Sequence, residues 1–142
     1  MFFDASKIHD GHKFLPQGTV LETFADGTIK AIHQEPPHGD IQFYEGVICP
    51  GFINVHCHLE LSHLKGAIPV HTGLIPFLKS IPIIRNDYSD EQKKLARQKA
   101  YHELIANGIV AVGDIANTTE SLDNRAFDRL HVHTFVEAIG FN

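Results

Sequence analysis

The sequence predicts an α/β protein in which a small β-rich segment precedes a parallel sheet. Three observations carry that prediction. From Gly51 onward the pattern runs strand, helix, strand, helix, strand, the order that parallel α/β folds repeat. The second of these strands, Ile109-Val110-Ala111-Val112-Gly113-Asp114-Ile115, is almost continuously apolar, which suits a strand covered on both faces. Before residue 50, short extended stretches alternate with turns, the mark of a small β-sandwich or sheet. The predicted division is residues 1–49 and residues 50–142.

Taken in order, Thr19 to Phe24 is the first candidate strand. Asp26-Gly27 makes a tight hairpin turn, and Thr28 to Ile32 returns, because Gly accepts the positive φ such a turn needs. Pro36 to Asp40 is a loop, Ile41 to Tyr44 a further short strand, and Glu45-Gly46 another turn. Pro50-Gly51 marks the boundary, and Phe52 to Val55 is a buried type of strand. Leu59 to Thr72 reads as an extended loop and Gly73 to Ser80 as a short helix ending before Pro82. Ser89-Asp90-Glu91-Gln92 opens the clearest helix, with a capping box and two acids where the helix dipole favours them. It runs to Ala106 or Asn107, stops at Gly108, and carries Leu95, Ala96, Ala100, Leu104 and Ile105 as its core stripe. After the Ile109 strand, Asn117 or Thr118 caps a helix reaching about Leu130, and His131 to Ile139 is the third strand.

Composition narrows the function classes. Hydrophobic residues make up 43% and charged residues 20% of 142 residues, the balance of a soluble globular protein. A net charge of −5 with no basic block speaks against a nucleic-acid or anionic-membrane partner. No apolar run approaches the ~18 residues of a membrane span, and the N-terminus lacks the pattern of a signal peptide. Cys49 and Cys57 are the only cysteines, so a reducing, cytoplasmic setting is expected. There is no phosphate-binding Gly-rich loop, no nucleophile elbow and no Cys-x-x-Cys.

Eleven histidines are present. His9, His12, His33 and His38 lie among turn residues and read as incidental. His56 and His58 differ. They close an apolar strand at its C-terminal end, one pleat apart, so both point to one face. Two imidazoles so placed can share a metal ion, zinc or iron(II); they equally suit ordinary hydrogen bonding, and spacing alone does not choose. His131-Val132-His133 repeats the spacing at the start of its strand, which in a parallel barrel is the rim opposite the active site.

The stretch Pro50-Gly51-Phe52-Ile53-Asn54-Val55-His56-Cys57-His58-Leu59-Glu60 resembles the first-strand signature of the amidohydrolase superfamily. Extended through Leu61-Ser62-His63-Leu64-Lys65-Gly66, it is similar to the deaminase and chlorohydrolase branch, which includes aminodeoxyfutalosine deaminase and relatives of guanine deaminase. Gly108 to Asn117 and Thr134 to Gly140 fit that branch, and the first 49 residues fit its small sandwich domain. The resemblance implies a metal-dependent hydrolase in a (β/α)8 TIM barrel, of which this chain holds the first three strands behind a β-sandwich-like domain. It implies one divalent metal, zinc before iron, with His56 and His58 matching the two first-strand ligands. It implies that metal-bound hydroxide displaces ammonia from an amino-substituted N-heterocycle or nucleoside-like compound. The family's later ligands and proton-transfer residues have no counterpart within these 142 residues, and a barrel needs about 200 or more. A fragment, inactive by itself, is therefore expected.

Glu60, Asp114 and Glu137 are the candidate substrate-binding residues. Each falls near the C-terminal end of a predicted strand; Glu60 also suits ordering the residues around the site or a solvated loop acid, and helix capping accounts equally well for Asn117 beside Asp114. Two other functions stay open: an amidohydrolase that opens a cyclic amide or displaces another leaving group, and a non-catalytic fragment that self-associates through unpaired barrel edges.

Overall fold

The structure is a computed structural model that describes residues 1–120 and 129–138. The chain divides into two compact units, Met1–Pro50 and Gly51–Asn142.

The first unit is a four-stranded sheet of β1 (Phe2–Ile8), β2 (Val20–Thr23), β3 (Ile29–His33) and β4 (Ile41–Ile48), in the order β3-β2-β1-β4. Strands β2 and β3 form the expected hairpin, with Asp26 Oδ1 accepting from the Thr28 N–H at 2.9 Å. Strand β1 carries no sequence signal of its own. Its buried residues, Ala5 and Ile8, lie three apart and break the alternation that marks a strand. It nevertheless sits at the centre, antiparallel to β2 and parallel to β4. Glu45-Gly46 is not a turn but an extra residue inside β4, where the pairing with β1 shifts register between Ala5 and Lys7. Gly46 has φ +125° there and donates its N–H to Ser6 Oγ at 3.1 Å, a bulge that glycine permits. Ala5, Ile8 and Leu21 are the buried centre. The unit supplies one sheet layer, where a sandwich stacks two.

The second unit holds a parallel sheet of β5 (Phe52–Cys57), β6 (Ile109–Ala116) and β7 (His131–Val136), in sequential order. Between β5 and β6 come a 3₁₀ helix (Leu59–Leu64), α1 (Leu74–Ile84) and α2 (Asp90–Ala106). The helix expected between β6 and β7 lies mainly outside the described residues. Leu59 to Leu64 is helical rather than extended because Leu59 and Leu64 are both buried, and Ser62 Oγ donates to the Leu59 carbonyl at 2.7 Å. α1 continues through Pro82 to Ile84. Pro82 falls in the last turn, where it costs one ladder bond and ends the helix shortly after.

α2 has both halves of its capping box. Ser89 Oγ accepts from the Gln92 N–H at 3.3 Å, and Gln92 Oε1 accepts from the Ser89 N–H at 2.8 Å. Its buried residues are Arg97 and Tyr101, not Leu95, which is 55% exposed. Arg97 tolerates burial because its guanidinium meets Glu120 Oε2 at 2.7 Å. Ala100, Leu104 and Ile105 do pack against the core of Leu59, Tyr101, Val112 and Leu130, which joins α2 to the sheet.

Candidate metal centre

Strand β5 is the scaffold of the site. Alternation along it separates Cys57, which packs against the α2-side core, from the histidines on either side. The rings of His56 and His58 lie with centroids 5.3 Å apart, inclined at 70°. His56 is exposed and His58 half-buried. Nδ1 of His58 is buried without a hydrogen-bond partner, an arrangement that carries a desolvation cost unless something binds it. Burial and then the Asp114 carboxylate push the Cys57 thiol up to about 11, so it stays protonated at neutral pH and is a poor ligand.

The two imidazoles suit a divalent metal. With metal–nitrogen bonds of ~2.0–2.1 Å, two imidazoles on one tetrahedral ion hold their ring centroids roughly 5 Å apart. Among the described residues no group of three or more His, Cys, Asp or Glu could hold a metal ion. The donor set visible here is therefore two ligands of the four that zinc takes.

Next to His58 is a cavity of about 450 Å³. Leu61 of the 3₁₀ helix and Phe77 and Leu78 of α1 make an apolar wall, while Arg85, Asn117 and Glu137 bring polar groups. Asn117 Nδ2 donates to the Glu137 carbonyl at 2.9 Å and to its Oε2 at 3.0 Å. That pair links the ends of β6 and β7. An apolar wall with a few converging polar groups is the usual make-up of a small-molecule site.

The three acids read from the sequence part company here. Glu137 lines the cavity. Glu60 and Asp114 do not: one oxygen of each accepts backbone N–H groups, and the other oxygen of each is buried without a hydrogen-bond partner. Glu60 Oε2 accepts from the Asn117 N–H at 3.2 Å, the Thr118 N–H at 2.9 Å and Thr118 Oγ1 at 2.7 Å. Its Oε1 lies 3.9 Å from Arg85 Nη2. Asp114 is fully buried, and its Oδ1 accepts from the Leu59 N–H at 2.8 Å. Both therefore shape the loops around the histidines rather than face an open cavity. His131 and His133 stand at the N-terminal half of β7, and His133 packs edge-on against Phe135. Burial and then Lys93 hold the buried His63 below the ordinary imidazole range. Sequence reasoning missed Arg85. The available signal was a cation directly after the apolar run Ile81 to Ile84, at the C-terminal end of a helix.

Paired histidines at the C-terminal end of a parallel strand, beside a half-apolar cavity, mark the candidate site of an α/β protein. Residues 47–140 match the amidohydrolase family, and the chain belongs to that family, whose members generally use a divalent metal. It is 28% identical over 116 residues to the aminodeoxyfutalosine deaminase of a Nitratiruptor species, a match covering 81% of this chain and 28% of that protein. A stretch of 33 residues is 48% identical to the adenine deaminase of Methanopyrus kandleri, covering 23% of this chain and 6% of that protein. In structure it is similar to Helicobacter pylori aminofutalosine deaminase, solved in complex with methylthio-coformycin. There the TM-score is 0.73 at 22% identity, over 99% of this chain and 36% of the other. That likeness shows the fold. The chain thus spans roughly a third or less of the length of these relatives.

Proposed function

We propose that this chain contributes to a hydrolytic deaminase in which His56 and His58 are two ligands of one divalent metal, zinc before iron. The observation that carries the reading is the facing pair of imidazoles, with a buried, unpartnered nitrogen on His58, in a segment belonging to the amidohydrolase family. A metal held there supplies Lewis acidity and brings the pKa of water to about 7. The chain's own residues bind and orient. Leu61, Phe77 and Leu78 exclude water from one side of the cavity. Glu137, held by Asn117, offers an acceptor to a ring N–H or a hydroxyl. Arg85 offers a cation at the cavity wall. The names of the relatives favour an amino-substituted N-heterocycle or nucleoside-like substrate over a cyclic amide. The two free cysteines suit a reducing, cytoplasmic setting.

Zinc binding tests the reading. The purified chain is expected to bind zinc weakly and to release it to a chelator, since two imidazoles are half a ligand set. His56→Ala and His58→Ala should each abolish that binding in equilibrium dialysis. Unchanged zinc uptake by both variants would sink the ligand assignment.

A second reading, self-association, rests on a separate observation. In the described sheet β5 and β7 are edges, and Val55 is 77% and Val136 85% exposed. Unpaired strand edges with apolar side chains favour pairing with another chain.

A further inference from the structure

We propose that Gly113 and Asp114, adjacent on β6, are the residues that set the positions of His56 and His58, one acting before the pair and one after it. The inference rests on the metal-ligand reading above for its purpose, but its geometry stands independently.

Between Asn54 and Cys57 the register of β5 against β6 slips. Three residue steps on β5 face two on β6, because Asn54 pairs with Val112 and Cys57 with Asp114. The extra residue falls between Asn54 and Cys57, in the span that contains His56. Such a bulge bends the strand and re-aims the side chains that follow it. Next to it, the His56 N–H donates to Asn54 Oδ1 at 3.2 Å. The bulge needs room on β6, and Gly113 provides it. A Cβ on Gly113 would stand 2.6 Å from the Val55 carbonyl oxygen, 3.1 Å from the Val55 carbonyl carbon and 3.3 Å from Phe135 Cε2. The first two contacts are with backbone, so a side chain there must push the residue that leads into His56.

After His58 the chain is caught again. Oδ1 of Asp114 accepts from the Leu59 N–H at 2.8 Å in a fully buried setting. This bond fixes where the strand ends and the 3₁₀ helix begins. His56-Cys57-His58 is thus held at both ends by two consecutive residues of the neighbouring strand. Asp114 is a positioning residue, not a contact for substrate.

The test pairs a backbone readout with a metal readout. Amide hydrogen exchange at Leu59 should speed up at least tenfold in Asp114→Ala and stay within about twofold of wild type in Asp114→Asn, whose side-chain oxygen can still accept the bond. Zinc affinity should fall at least tenfold in Asp114→Ala and in Gly113→Ala, and recover in Asp114→Asn. Equal Leu59 exchange in Asp114→Ala and wild type overturns the proposal, as does undiminished zinc affinity in a folded Gly113→Ala or Asp114→Ala. If Gly113→Ala does not fold, the two Asp114 variants decide alone. If the wild-type chain binds no zinc, the ligand reading fails, and the Leu59 exchange still decides whether Asp114 positions the pair.

Discussion

Glu60 shows how far a residue's role depends on what its carboxylate meets. It stands two residues after His58, where contact with substrate is a natural expectation. Its side chain is instead fully buried, with one oxygen accepting three hydrogen bonds from Asn117 and Thr118. Removing that acceptor takes three hydrogen bonds from half-buried donors, each worth about 0.5–1.5 kcal/mol. Glu60→Ala should therefore destabilise the fold by roughly 2–4 kcal/mol, read as a lower urea midpoint. A variant as stable as wild type would return Glu60 to the role of a loop acid. The same residue ties the loop after β5 to the loop after β6, and Asn117 extends the tie to Glu137 after β7. One carboxylate thus helps bring three strand ends together around the cavity.

At the scale of elements, local chemistry and packing decide different things. α2 begins where its capping box places it, and its start needs no tertiary explanation. Ser89→Ala should cost about 1 kcal/mol, seen as a fall of several degrees in the melting temperature; no fall would mean that packing alone fixes the helix start. Which face of α2 is buried is another matter. The predicted apolar stripe includes Leu95, yet the helix turns Arg97 and Tyr101 inward, because Glu120 neutralises the arginine and the core admits the tyrosine ring. α1 is the opposite case. It has no buried residue, and Leu74, Ile75, Leu78 and Ile83 are each at least half exposed, while Phe77 and Leu78 wall the cavity.

At the scale of the whole chain, large apolar side chains stand exposed in both units among the described residues. Among the described residues, Val55, Val136 and Leu74, Ile75, Leu78 and Ile83 of α1 are each at least half exposed, and apolar surface of this kind favours association. Sedimentation velocity of the purified chain should show species larger than a monomer that grow with concentration. Val55→Lys with Val136→Lys should shift them toward monomer, since charge on an edge strand opposes pairing. A wild-type chain that stays monomeric across the same concentrations would remove the self-association reading.

The sequence by itself determined the parallel strand-helix-strand order, the caps of α2, and the pairing of His56 with His58. All of these follow from periodicity or from contacts within a few residues, and the amidohydrolase resemblance rested on the same short stretch. Only the tertiary structure decided what surrounds the histidines. Asp114 meets Leu59 from 55 residues away, Glu60 meets Thr118 from 58, and Gly113 matters through the backbone of a neighbouring strand. Strand β1 was hidden for a related reason, since its two buried residues, Ala5 and Ile8, lie three apart and do not alternate. Periodicity records which way a side chain points along its own element. It carries no record of which carboxylate a fold will bring to a distant N–H, because that depends on register between strands, and register is fixed by packing.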